Sequence, residues 1–402
     1  MGADSTTEVA YAPRAMRSAS PRSTPIPFLG GLTAAEFLRK HWQKTPLFVR
    51  GAFPAFADGK GLLDPDDLAG LATIEEAKAR LVLERRGRFH LEEGPFSDER
   101  FAKLPKKDWT LLVQGVNHFL PEAERLLAEF CFIPHARLDD LMVSYAVRGG
   151  SVGPHLDSYD VFLVQGRGRR RWQISAQKDT ALVEGAPLRI LQAFFPEQEW
   201  ETTAGDLLYL PPRYAHHGVS LDDECMTYSI GFRAPTEKEL IHQFLAWLPD
   251  RIDRSGTGGL YADPDLESPV HPSEIGPDMI EKVAAMLTRI KWNRDDIARF
   301  LGQYLSEPKP HVLHDRPRRP LSIEKFTDRV REKGIKLALK SQMLAHGRTF
   351  FLNGEAYESA PAEHRLLLQL ADDRRLPPGA KIGDKLAAQL HCWYRDGYLE
   401  VG

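Results

Sequence analysis

Cysteine is scarce in this chain. Cys131, Cys225 and Cys392 lie far apart and form no CxxC pair, which argues against a disulfide scaffold or a zinc ribbon. Long apolar runs are missing too. None approaches the roughly 18–20 residues that span a bilayer, and Met1–Pro25, rich in Ser, Thr, Ala, Pro and Arg, holds no apolar core of a secretory signal. Neither sign of charge dominates: 53 Lys and Arg against 56 Asp and Glu leave a formal net charge of -3, so no overall basic field gathers nucleic acid. There is no internal repeat. What remains, 42% hydrophobic and 27% charged residues over 402 positions, is ordinary for a soluble globular protein of two or three domains. It is expected in the cytoplasm, with reduced thiols and no membrane association.

Residues 1–25 read as a disordered tail. Helical spacing follows at Thr33–Trp42, Asp66–Leu71 and Pro121–Phe130, with a short strand at Leu47–Val49. From Leu141 to Arg233 the pattern changes to short strands: Leu141–Val147, Val161–Gln165, Arg170–Ser175, Leu207–Tyr209 and Thr227–Phe232. Gly149-Gly150, Gly166–Gly168, Gly205-Asp206 and Pro211-Pro212 supply the turns. Many short strands without alternating helices predict a β-barrel or sandwich. A boundary is predicted near Ala234-Pro235. Beyond it Thr236 and Glu239 open a helix with capping-box spacing, Ile280, Val283, Leu287 and Ile290 share one face of another, and Asn293 caps a third. After Pro308–Pro320 come helices near Ile323–Lys333, Ala362–Asp372 and Ile382–Tyr394, and a hairpin turning on Asn353-Gly354. This last segment is winged-helix-like. Basic and acidic residues nearly balance from Leu321 to Gly402, so no direct DNA binding is expected of it.

With fourteen histidines in the chain, a lone His-x-Asp carries little weight. His155-Leu156-Asp157 is one such triplet, and His90-Leu91-Glu92 is a comparable decoy. Context separates them. On a strand, residues i and i+2 share a face, so His155 and Asp157 can aim at one point inside a barrel. His216, at the end of the run from Gly205 through Pro211-Pro212, supplies a third ligand from another strand; the spacing favours it over His217. Two imidazoles and one carboxylate make the facial triad of non-heme Fe(II) oxygenases, with positions left open for a 2-oxo acid and dioxygen. Zn(II) or Mn(II) suits the same ligands. A 2-oxo acid with a distal carboxylate needs a buried cation, and Arg offers a planar fork. If Trp172 and Ile174 face the core, Arg170 does too, with Arg169 and Arg171 outward. Ser144 is the candidate assisting hydroxyl.

A family resemblance rests on Phe37–Leu47, on Gly149 through Phe162, on Gly168–Trp172, on Leu207–His216 and on Tyr228–Arg233. Over these segments the chain resembles the JmjC-type 2-oxoglutarate oxygenases, and specifically the bacterial ribosomal-protein arginine hydroxylases. It departs from their pattern at Ser158 and Arg213-Tyr214-Ala215. The resemblance implies an α+β multidomain protein: a JmjC/cupin double-stranded β-helix over 26–235, a helical dimerisation domain over 236–307 and a winged-helix-like domain over 308–402. It implies Fe(II) at His155, Asp157 and His216, 2-oxoglutarate at Arg170 and Ser144, a homodimer, and a substrate arginine on a large-subunit ribosomal protein. Tyr159 and Asp160 are the candidates to receive that arginine. Rival expectations are a JmjC-type demethylase, a small-molecule hydroxylase, or a non-catalytic metal-binding cupin regulator.

Overall fold

The computed structural model describes residues 24–253 and 259–402. The expected tail lies almost wholly outside them, as do residues 254–258. The chain divides between Ala234 and Pro235 into two compact units.

The first unit opens with α1 (Ala34–Lys40), started by a capping box: the Thr33 hydroxyl accepts from Glu36 N–H and the Glu36 carboxylate accepts from Thr33 N–H. After β1 (Leu47–Val49) comes α2 (Pro65–Leu71), capped by Asp64. Then follow β2 (Lys78–Arg85), β3 (Arg88–Glu93), α3 (Asp98–Ala102), β4 (Trp109–Gln114) and α4 (Pro121–Ala128). Eight further strands complete it: β5 (Leu138–Ala146), β6 (His155–Leu156), β7 (Asp160–Arg167), β8 (Arg170–Ser175), β9 (Gln198–Thr202), β10 (Leu207–Leu210), β11 (Ala215–Ser220) and β12 (Cys225–Phe232).

Among the described residues the strands form two antiparallel sheets, ordered β1-β10-β7-β12-β5-β4-β2-β3 and β6-β11-β8-β9. The strands β5–β12, split between the sheets, make the double-stranded β-helix. Alternation of side chains builds two cores from it. Val161 and Leu163 point between the sheets with Trp172, Ile174, Leu208 and Leu210. Phe162 and Val164 point outward into a larger core with Phe37, Phe130, Tyr209 and Tyr228. Phe162 lies 5.4 Å from Phe37 and 4.8 Å from Phe130, centroid to centroid. Burying each such side chain contributes about 1.5–3 kcal/mol, which fastens the N-terminal helices to the outer face. β7 is therefore buried on both sides, and its middle, Val161–Val164, is an unbroken apolar run.

The strands β2, β3, β4 and β9 are not among those expected from the sequence. β9 shows why. Gln198, Glu199 and Glu201 are exposed, and only Trp200, opposite Trp172, and Thr202, opposite Arg170, are covered.

The second unit contains α5 (Glu237–Asp253), α6 (Pro277–Leu287), α7 (Arg294–Ser306) and α8 (Ile323–Lys333). Then come β13 (Ile335–Leu337), β14 (Met343–His346), β15 (Thr349–Leu352), β16 (Glu355–Glu358), α9 (His364–Asp373), β17 (Arg375–Leu376), α10 (Asp384–Arg395) and β18 (Leu399–Val401). β14-β15-β16 is the wing sheet, turning at Asn353 and Gly354, both with positive φ as the tight hairpin requires. Asn293 caps α7. α7 packs on this sheet: a Cβ at Gly302 would fall 2.3 Å from the Phe351 ring, and Gln303 Nε2 donates to Gly354 O. Phe244 and Leu248 of α5 belong to this unit's own interior, Phe244 lying 5.3 Å from Phe300 and Leu248 being buried. By contrast Ile280, Val283 and Leu287 of α6 are 56%, 37% and 61% exposed.

Candidate metal centre

β6 and β11 are register partners, with His155 directly opposite His216. Asp157 lies two residues past His155, on the same side of the chain. Strand pairing thus delivers the three side chains to one point, and one donor atom from each lies within 4.8 Å of the others. Asp157 Oδ1 is 3.9 Å from His155 Nε2 and Asp157 Oδ2 is 3.6 Å from His216 Nε2. The imidazoles are oriented from behind. His155 Nδ1 faces Gly153 O at 2.9 Å and His216 Nδ1 faces Tyr214 O at 3.0 Å. A carbonyl only accepts, so each Nδ1 carries the proton and each Nε2 presents its lone pair to the centre. Burial and the neighbouring His155 hold the His216 pKa down to about 4, which keeps it neutral at physiological pH. The donor set and its tautomers fit a divalent transition metal.

Close packing supports the arrangement. Between His216 and Ser220 the inward position of β11 is Gly218, where a Cβ would come 2.5 Å from the Trp172 ring. Only glycine lets Trp172 lie against β11, 6.0 Å from the His216 ring. His217 points the other way, edge-on to Phe194 at 6.1 Å. Its pKa is also lowered to about 4, by burial and by Arg171. The decoy His90-x-Glu92 belongs to β3, where Arg100 holds Glu92 through bonds of 2.7 and 2.8 Å.

Arg170 faces inward and is buried, with Trp172 and Ile174 after it on the same side. Among the described residues its Nε and Nη2 have no hydrogen-bond partner, although its guanidinium lies 5.6 Å from the Trp172 ring. A buried cation with idle donors suits an incoming carboxylate. Arg169 is instead exposed and paired with Glu201 and Asp222. Ser144 is buried on the inward face of β5, opposite Thr227 of β12, since Leu141 and Val143 belong to the outer core.

Tyr159 and Asp160 part ways. Tyr159 is 39% exposed. Burial of its hydroxyl, then the Asp157 and Asp140 carboxylates, push its pKa up. Asp160 is fully buried on the opposite side, accepting from Tyr209 OH at 2.6 Å and from Gln43 Nε2 at 3.1 Å, with Arg137 at 3.6 Å. It ties α1's following turn to the outer core, which corrects the expectation that it lines the pocket mouth. The acid missed from the sequence is Asp140. It is buried, and a Cβ built at Gly231 would lie 3.7 Å from its Oδ1 and 4.0 Å from the Tyr159 ring. Stepping back by twos from Ser144 along β5 reaches Asp140, so the signal was present.

A barrel of this topology with two histidines and an aspartate converging inside it is the architecture of the cupin-like metal oxygenases. The JmjC domain profile matches residues 125–240, and a ROXA-like winged helix profile matches residues 289–400. The chain is 34% identical over 355 residues to the ribosomal protein uL16 3-hydroxylase of Escherichia coli, spanning 87% of this chain and 91% of that one. It is 40% identical over 240 residues to a probable ribosomal oxygenase of Haemophilus influenzae, spanning 58% of this chain and 55% of that one. Among solved structures, E. coli ycfD superposes with a TM-score of 0.79 at 32% identity, covering 92% of this chain and 98% of that one. YcfD, a ribosomal oxygenase from E. coli in complex with cobalt and 2-oxoglutarate, gives 0.75 at 33% identity with the same coverage. The chain belongs to the JmjC-domain oxygenase family that includes these ribosomal oxygenases.

Proposed function

We propose that this chain is an Fe(II)- and 2-oxoglutarate-dependent dioxygenase that hydroxylates an arginine side chain of a large-subunit ribosomal protein. The observation that carries the reading is the pairing of one inward-facing His155–Asp157–His216 cluster with a buried Arg170 in the same barrel, whose Nε and Nη2 find no hydrogen-bond partner among the described residues. His155, Asp157 and His216 would hold the metal, and Arg170 with Ser144 would hold the distal carboxylate of 2-oxoglutarate. Bound Fe(II) with 2-oxoglutarate supplies the activation of dioxygen. The chain's own residues supply orientation: the Gly153 and Tyr214 carbonyls fix the imidazoles, and Trp172, Leu163 and Leu208 keep the interior apolar.

The substrate side rests on the name of the E. coli uL16 hydroxylase and on the pocket mouth. A guanidinium entering beside the metal needs an acid and an aromatic surface, and Asp140 with Tyr159 offers both across Gly231. We further propose a homodimer formed through the exposed face of α6 and a cytoplasmic location. Among the described residues no helix is long and apolar enough to cross a membrane. The division at 26–235, 236–307 and 308–402 stays part of this proposal. Incubating the iron-loaded protein with a peptide carrying the target arginine, and following succinate release together with peptide mass, tests the reading. Succinate without any change in the peptide would point to another substrate.

A further inference from the structure

One buried amide touches the neighbours of both proposed cosubstrate anchors. Arg170 stands on β8 in the four-stranded sheet and Ser144 on β5 in the eight-stranded one. The strand partner of Arg170 is Thr202, and the strand partner of Ser144 is Thr227. Between these two threonines lies Gln165 of β7, 1% exposed. Its Oε1 accepts from Thr202 Oγ1 at 3.2 Å and from Thr227 Oγ1 at 3.1 Å. Thr202 Oγ1 also lies 3.0 Å from the Arg170 carbonyl oxygen, to which it can donate instead. The other end of the amide is held as well: Nε2 donates to Arg167 O at 2.8 Å and to Cys225 Sγ at 3.3 Å. Every polar atom of the Gln165 side chain is thus engaged, and none faces an open position.

We propose that Gln165 is a positioning residue for the cosubstrate site: by tying Thr202 to Thr227 across the barrel it sets the separation between Arg170 and Ser144. The inference rests on the assignment of those two residues as the 2-oxoglutarate anchors. The physical case is that packing against the apolar cluster of Val161, Leu163, Leu208 and Leu210 gains nothing from a buried amide. An amide buried there is costly unless fully hydrogen-bonded, and once fully bonded it holds its partners to one geometry. The two sheets share no strand, so side-chain ties of this kind fix how far apart their inward residues stand. A bidentate carboxylate site tolerates little drift, because the guanidinium fork and the hydroxyl must reach the same two oxygens.

The test is calorimetric titration of 2-oxoglutarate into the metal-loaded full chain, alongside steady-state KM and kcat. Gln165→Leu and Thr202→Val are each expected to raise the 2-oxoglutarate Kd and KM about tenfold, with kcat at saturation changed far less, as for loss of binding shared by ground and transition states. Thr202→Ser keeps the hydroxyl that reaches Gln165 Oε1 and Arg170 O, and is expected to return Kd to within about twofold of the original protein. If Gln165→Leu does not fold, the Thr202→Val and Thr202→Ser pair carries the comparison alone. The inference is overturned by an unchanged Kd in Gln165→Leu or Thr202→Val, or by a Thr202→Ser protein as weak as Thr202→Val. Failure of the underlying anchor assignment looks different: Arg170→Ala then binds 2-oxoglutarate as tightly as the original chain, and the positioning role falls with it.

Discussion

His216 Nε2 faces Asp157 Oδ2 at 3.6 Å, while the adjacent His217 turns to the outside of the barrel and meets Phe194. The period of two along β11 forces that division, since consecutive side chains take opposite faces. Replacing His155, Asp157 or His216 by Ala is expected to cut metal-dependent 2-oxoglutarate turnover by more than about a hundredfold, beyond the loss usual for a residue that merely supports a ligand. His217→Ala should stay within a few-fold of the original. Turnover assays with bound metal measured in parallel decide it. A dead His217→Ala beside an active His216→Ala would reassign the ligand.

The buried Arg170 and the exposed Arg169 give a second contrast. Arg170→Ala is expected to raise the 2-oxoglutarate KM by an amount equivalent to about 2–5 kcal/mol, the range for truncating one partner of a buried charge pair. Arg169→Ala, which loses only exposed pairs with Glu201 and Asp222, should change it little. Equal effects from the two would refute the facing of β8.

These two sites were legible because strand periodicity reads through the sequence wherever both faces of a strand are distinctive. Arg170-x-Trp172-x-Ile174 announces its inward face, and His155-x-Asp157 does the same once β6 is granted. The pairing of β6 with β11 is not legible in the sequence: β6 is two residues long, and nothing in His155-Leu156 singles out the strand of His216 as its partner. Asp160 misled because it follows the ligand pair in sequence yet points to the opposite face, where Tyr209 and Gln43 claim it. Gln165 is not legible as a tie because the two threonines that bond its Oε1 come from strands remote in sequence.

Acid should weaken the metal-free protein in a defined window. Burial lowers the pKa values of His216 and His217 from 6.5 to about 4, so between these values the unfolded chain binds more protons than the folded one. Stability is therefore full above pH 6.5, declines as pH falls toward about 4, and levels off below that for these two groups. Urea unfolding with chelator present, followed from pH 7 to 5, should show this decline. His217→Gln should flatten it in part, and an unchanged slope would mean that His217 titrates alike in the folded and unfolded states.

The exposed face of α6 bears on assembly. Ile280, Val283 and Leu287 present a contiguous apolar stripe at helical spacing. Light scattering is expected to give twice the 45.4 kDa chain mass, and Ile280→Asp to give the monomer. A monomer already present in the original protein at micromolar concentration would count against the dimer.

The central claim is arginine hydroxylation of a ribosomal protein, and the most direct measurement is intact and peptide mass spectrometry of ribosomal proteins treated with the iron-loaded enzyme, 2-oxoglutarate and air. A gain of about 16 Da, one oxygen atom inserted at an aliphatic carbon, is expected on a single arginine of one large-subunit protein. It should disappear with His216→Ala and weaken with Asp140→Asn. Lysine in place of that arginine should react poorly, because an ammonium lacks the planar fork. Oxidation of no ribosomal protein, by an enzyme that turns over 2-oxoglutarate with a different polypeptide, would contradict the account.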